Sequence, residues 1–101
     1  MNLGRVAGTV VATRKDERLS GFKLLAVRTV DPDGKDKGGY VIAVDTVDAG
    51  TGDLVLLVSG SSARMASGCQ DRPIDAAIIG VIDSVELAAP VLATASAKVT
   101  R

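Results

Sequence analysis

Tyr40-Val-Ile-Ala-Val-Asp-Thr-Val-Asp-Ala-Gly-Thr-Gly-Asp-Leu-Val-Leu-Leu-Val-Ser59 sets two β-branched runs on either side of a short connection that carries two glycines. Val and Ile restrict the side chain in ways that favour extended backbone, while Gly admits positive φ. The stretch predicts a strand over residues 40–47, another over 54–59, and a tight hairpin with positive φ angles at 48–53. No 3.6-residue apolar period persists over a long window anywhere in the chain. The chain reads as all-β.

On the N-terminal side, residues 3–14 predict a first strand, with Val6, Gly8, Val10 and Ala12 on one face. Gly4 and Gly8 mark bends or close backbone approach, which barrels need at their corners. A polar loop at 15–20 leads into a second strand at 22–30. Asp31-Pro-Asp-Gly34 has good turn chemistry, and residues 35–39 extend it into a charged hairpin loop. On the C-terminal side, a short helix is expected at 61–66, capped by Ser61 or Ser62 and ended by Gly68. Residues 76–87 predict the fifth strand, with Ile78, Gly80 and Ile82 opposing Ile79, Val81 and Val85. Both of its faces are apolar, so it should be covered by its own core on one side and by another subunit on the other. Five strands and one short helix suggest an OB-like barrel over residues 1–87, followed by a tail or edge strand at 88–101.

The chain of 101 residues is one domain in length. Its 12 basic and 12 acidic residues cancel, which removes the electrostatic attraction on which nucleic-acid and anionic-membrane binding mostly rest. The same neutrality leaves little repulsion between copies, so self-association is expected. Phe22 and Tyr40 are the only aromatic residues, too few for base-stacking platforms. The chain has no histidine, so Ser-His and Cys-His pairs and His metal sites are excluded. One cysteine makes no intrachain disulfide. The first residues lack a secretory pattern and no apolar run approaches a membrane span of about 20 residues. The expectation is a soluble, cytoplasmic protein with neither nucleic acid nor membrane as partner.

Four clusters invite chemistry. Asp31, Asp33 and Asp36 suggest a calcium loop, but the fifth position is Lys35 and the twelfth Ile42, so a solvated turn is favoured. Gly50-Thr-Gly52 lacks the third glycine and following helix of a dinucleotide loop. Ser59-Gly-Ser-Ser62 lacks both the spacing of a nucleophile elbow and a histidine base. Arg64 either binds an anion beside those hydroxyls or pairs with a carboxylate, the latter being favoured. Cys69 lies in a polar segment and is expected to be an exposed, incidental thiol. No metal or cofactor is expected.

Four segments carry a resemblance. Leu19-Ser-Gly-Phe-Lys-Leu-Leu-Ala-Val27, Ala43-Val-Asp-Thr-Val-Asp-Ala-Gly-Thr-Gly-Asp53, Leu57-Val-Ser-Gly-Ser-Ser-Ala-Arg64 and Pro73-Ile-Asp-Ala-Ala-Ile-Ile-Gly-Val-Ile-Asp83 occur in this order. Together they resemble the bacterial microcompartment vertex proteins, the EutN/CcmL family, over residues 3–85. The resemblance implies a non-enzymatic homopentamer of OB-like barrels that caps the vertices of a polyhedral shell. Hexameric shell proteins would be its partners in the flat facets. It also makes Asp48, Ala49, Gly50, Thr51 and Gly52, with Gly60, Ser61, Ser62, Ala63 and Arg64, candidates for subunit contacts or the lining of a fivefold opening. The same density of Gly and Ser equally suits tight turns that hold each barrel. The alternative is a small OB-like module that binds single-stranded nucleic acid or, through Arg64, a small anion. Salt-dependent oligonucleotide binding or a ligand-dependent melting shift would mark that alternative.

Overall fold

Five short strands close into a barrel in the computed structural model, which describes residues 1–88. Its strands are β1 (Asn2–Val10), β2 (Lys23–Val30), β3 (Asp36–Asp45), β4 (Leu54–Ser59) and β5 (Ala76–Val81). They close in the order β1-β2-β3-β5-β4, all antiparallel except the short parallel β3–β5 pairing. The β3–β5 closure rests on two register pairs, Val44–Ala77 and Asp45–Ile78. Val6, Leu25, Val27, Ala43, Val55, Leu57 and Ile78 point inward and form the interior core.

A second core lies outside the barrel. Val44, Val58 and Ala77 take the outward parity of β3, β4 and β5, yet all are buried. They are covered by Ala63, Cys69 and Ile74, from a 3-10 turn (Gly60–Met65) and the irregular segment that follows it. Arg72 straps that segment down. It donates from Nε to Gly68 O (2.7 Å) and from Nη1 to Arg18 O (2.6 Å), and its guanidinium lies 5.6 Å from the Phe22 ring centroid.

Several expectations change here. The connection at 48–53 is not a hairpin: β3 and β4 are not neighbours, and the chain crosses one end of the barrel between them. Only one of its glycines, Gly52, has positive φ, and Asp48 is the other left-handed residue. β1 ends at Val10 rather than at residue 14, because Val10 opposite Leu24 is its last pair with β2. A bulge between Val6 and Gly8 breaks the expected run of Val6, Gly8 and Val10 on one face. β3 begins at Asp36, so residues 36–39 are strand and not loop. Asp36 faces Val30, and its carboxylate lies 3.3 Å from Arg28 Nε.

β5 stops at Val81 because Asp83 and Ser84 end the apolar alternation. Val81 at its end remains exposed, while at Ala77 its outer face is covered by this chain's own turn. Cys69 is fully buried for the same reason, and burial pushes its thiol above the usual range. The expected helix is a 3-10 turn with Ser59 at its N-cap, no side-chain capping bond, and Ala66 at its end. A further 3-10 turn (Glu17–Leu19) interrupts the loop read as irregular, capped by Asp16, whose side chain accepts from Arg18 N at 2.9 Å. The tail reading for 88–101 lies, from residue 89 on, outside the described residues.

Candidate assembly surface

The connection between β3 and β4 is organised by one buried carboxylate. Asp45 ends β3, and its oxygens accept from Val47 N (3.1 Å) and Ala49 N (2.9 Å). Lys23, at the start of β2, lies 3.4 Å from both Asp45 and Asp48 and donates to Ala49 O at 2.9 Å. Burial works against the Lys23 charge, but hydrogen bonds to Asp48 and Asp45 outweigh it and hold the ammonium above its ordinary pKa. Asp48 has φ 60°, a left-handed conformation that Asp tolerates better than most residues. This bend turns Ala49, 1% exposed, into the end of the barrel as a plug.

Beyond the plug, Asp53 N bonds Gly50 O (3.0 Å) and Asp53 Oδ2 accepts from Gly50 N (2.8 Å). Gly52, at φ 91°, supplies the conformation that this turn requires. β1 then pins the loop: Gly52 N bonds Val6 O (2.8 Å), Val6 N bonds Asp53 O (2.9 Å), and Arg5 Nη1 donates to Gly52 O (3.1 Å). The result is a loop fixed along most of its length. It presents Asp48, Gly50, Thr51 and Gly52 to solvent while Ala49 faces inward.

At the other end of β4, Gly60 (φ 63°) swings the chain into the 3-10 turn, and its N–H bonds Asp75 O at 2.9 Å. Ala63 is buried beneath the turn, whereas Ser61, Ser62 and Arg64 remain exposed. Among the described residues Arg64 pairs with no carboxylate, contrary to expectation. Nη1 donates instead to Ile74 O at 3.3 Å, tying the turn to the segment behind it. The two candidate segments are therefore not brought together. Six residues of β4 separate them by about 17 Å at the usual strand rise.

Two of the three aspartates of the calcium-like run are spent locally through their side chains. Asp33 accepts from Lys35 N, and Asp36 from Gly38 N while it faces Arg28. One surface was missed by the sequence reading: Tyr40 and Ile42 stand on the outer side of β3, 65% and 50% exposed. Its signal was present, because residues 40–44 are apolar on both parities, the pattern taken as significant only for β5.

Comparison with known proteins agrees with this geometry. The family model described as ethanolamine utilisation protein EutN/carboxysome matches residues 1–83. The bacterial microcompartment shell vertex protein GrpN of Rhodospirillum rubrum is 48% identical over 86 residues, which cover 85% of this chain and 97% of that one. The carboxysome shell vertex protein CcmL of a Synechocystis strain is 46% identical over 88 residues, covering 87% and 88%. Among solved structures, the pentameric GrpN shell protein of R. rubrum superposes with a TM-score of 0.80 at 45% identity, covering 87% of this chain and all of the other. CcmL of Gloeobacter violaceus superposes at 0.81 and 41% identity, covering 86% and 90%.

Proposed function

Because the chain belongs to the EutN/CcmL family and is a shell vertex protein of a bacterial microcompartment, we propose that its pentamers close the corners of a shell whose facets are built by hexameric shell proteins. A flat hexagonal sheet cannot close on itself, and a fivefold unit supplies the missing curvature. The role is one of shape: subunit interfaces set the wedge angle, and the rim meets the hexamers. Binding comes from buried apolar area, about 25 cal/mol per Å² before the costs of association. The protein needs no catalytic group for this work.

The single observation that carries this reading is a closed barrel that superposes, over 87% of this chain, on the whole of the solved pentameric relative with a TM-score of 0.80. Within it, the exposed residues of the two candidate segments take separate places, since β4 holds them apart. Asp48, Gly50, Thr51 and Gly52 form one contact element at the barrel end. Gly60, Ser61, Ser62 and Arg64 form the other, and small side chains there permit close approach around an axis. Arg64→Ala is expected to weaken the pentamer more than Lys35→Ala, because Lys35 sits in a solvated turn. Native mass spectra of both variants over a dilution series check this. Equal loss of pentamer in the two would remove the assignment of the 60–64 turn to assembly. Co-expression with a hexameric shell protein tests the partner: closed shells with the pentamer and open sheets or tubes without it are the expected pair of outcomes.

A further inference from the structure

A ring closed by rotation joins unlike faces, so each subunit must carry two different adhesive surfaces on different sides of its barrel. Among the described residues, apolar areas stay open on two different sides of the barrel. The first is the outer side of β3. Tyr40 and Ile42 are exposed opposite Arg28 and Ala26 of β2. Beside Ile42 opens a groove walled by Leu19, Leu24, Pro73 and Ile74. The next outward residue along β3, Val44, is already covered by the second core, so the bare area begins where the chain's own cover ends.

The second area lies on β1 and β4. Leu3 and Leu56 are register partners and both are partly exposed, whereas their neighbours Gly4, Val55 and Leu57 face inward. Gly80 flanks Leu56 without a side chain to shield it; a Cβ there would lie 3.7 Å from that of Leu56. In the strand order β1-β2-β3-β5-β4, β3 adjoins neither β1 nor β4. The two areas thus lie on different sides, as a heterologous ring requires. Few charges oppose the contact, and Arg28, beside Tyr40, faces Asp36.

We propose that the β3 face and its groove in one subunit receive the Leu3–Leu56 face of the next copy around the ring, with Tyr40 and Ile42 as anchors. Large side chains seated in a partner's apolar surface are the usual energetic centres of an interface. The assignment rests on the pentameric reading and names the surfaces through which the pentamer forms.

The test uses Ile42→Asp, Tyr40→Asp and Leu56→Asp, each checked for an intact barrel by circular dichroism and melting, with native mass measured beside the unaltered chain. Each substitution is expected to raise the concentration at which pentamers form by about 100-fold or more, through a charge left unpaired in an apolar contact. Ile42→Asp mixed with Leu56→Asp is expected to give a one-to-one dimer and no ring, because each variant keeps only the face that the other has lost. Folded Ile42→Asp and Tyr40→Asp that still form pentamers at the normal concentration would overturn the assignment. So would a homodimer of Leu56→Asp, or no mixed dimer. An unaltered chain that never forms pentamers would instead overturn the reading beneath it.

Discussion

Gly4→Ala is expected to destabilise the barrel by about 3 kcal/mol, the upper end of overpacking effects. Gly4 lies where β1 passes closest to the interior, paired to Thr29 of β2 on one side and Val55 of β4 on the other. A Cβ there would fall well inside contact distance of Val27 Cγ1, 3.0 Å from Leu57 Cδ1 and 3.2 Å from the Arg28 carbonyl oxygen. Val27 and Leu57 are themselves buried, so neither can swing away, and the Arg28 backbone is held in the ladder. In a domain of this size the loss corresponds to a fall of roughly 15 °C in Tm. Gly8→Ala is the control: nothing lies within 4 Å of its Cβ position, and its melting point should barely move. Adding Val27→Ala to Gly4→Ala removes the main clash, so the double variant should lose less than the sum of the two. A Gly4→Ala protein melting with the unaltered chain, at equal protein concentration, would mean that β1 does not close the barrel this tightly.

Asp45→Ala is expected to cost a similar amount, about 3 kcal/mol, for a different physical reason. It strips the acceptor from the Val47 and Ala49 N–H groups and leaves Lys23 with only the exposed Asp48 carboxylate. The side chain of Asp45 is 1% exposed, so water cannot simply replace it. With the connection unpinned, Ala49 no longer plugs the end of the barrel and amide exchange at Ala49 should accelerate strongly. Asp48→Ala is the matched control. Its side chain is 97% exposed, and a surface ion pair of that kind is worth about 0–1 kcal/mol. Denaturant titration of both variants decides the matter. Equal small losses would show that the Lys23 cluster is ornamental and that the loop is held from β1 alone.

The strands were legible because their β-branched alternation is local. β4 was read with its observed bounds and β2 to within one residue. The parallel β3–β5 pairing was not legible, since a glycine turn such as Gly50–Asp53 reverses the chain without saying which strands it joins. Asp48 and Gly52 make the turn, but closure of the whole barrel decides that β3 meets β5. Cys69 was misread for a related reason: its neighbours are polar, and an irregular segment has no period from which burial can be inferred. Its position beneath Arg72 depends on contacts with Arg18 and Phe22, about fifty residues away in sequence. For the assembly surface, the segments 48–52 and 60–64 were visible as dense Gly and Ser. Which residues within them turn inward was not, because Ala49 and Ala63 are placed by a buried carboxylate and by the second core.

The oligomer mass of the unaltered chain by native mass spectrometry, at several concentrations and near-physiological salt, bears most directly on the vertex role. A dominant species of five 10.3 kDa subunits, persisting on dilution, is the expected result. A monomer across the whole range would contradict it.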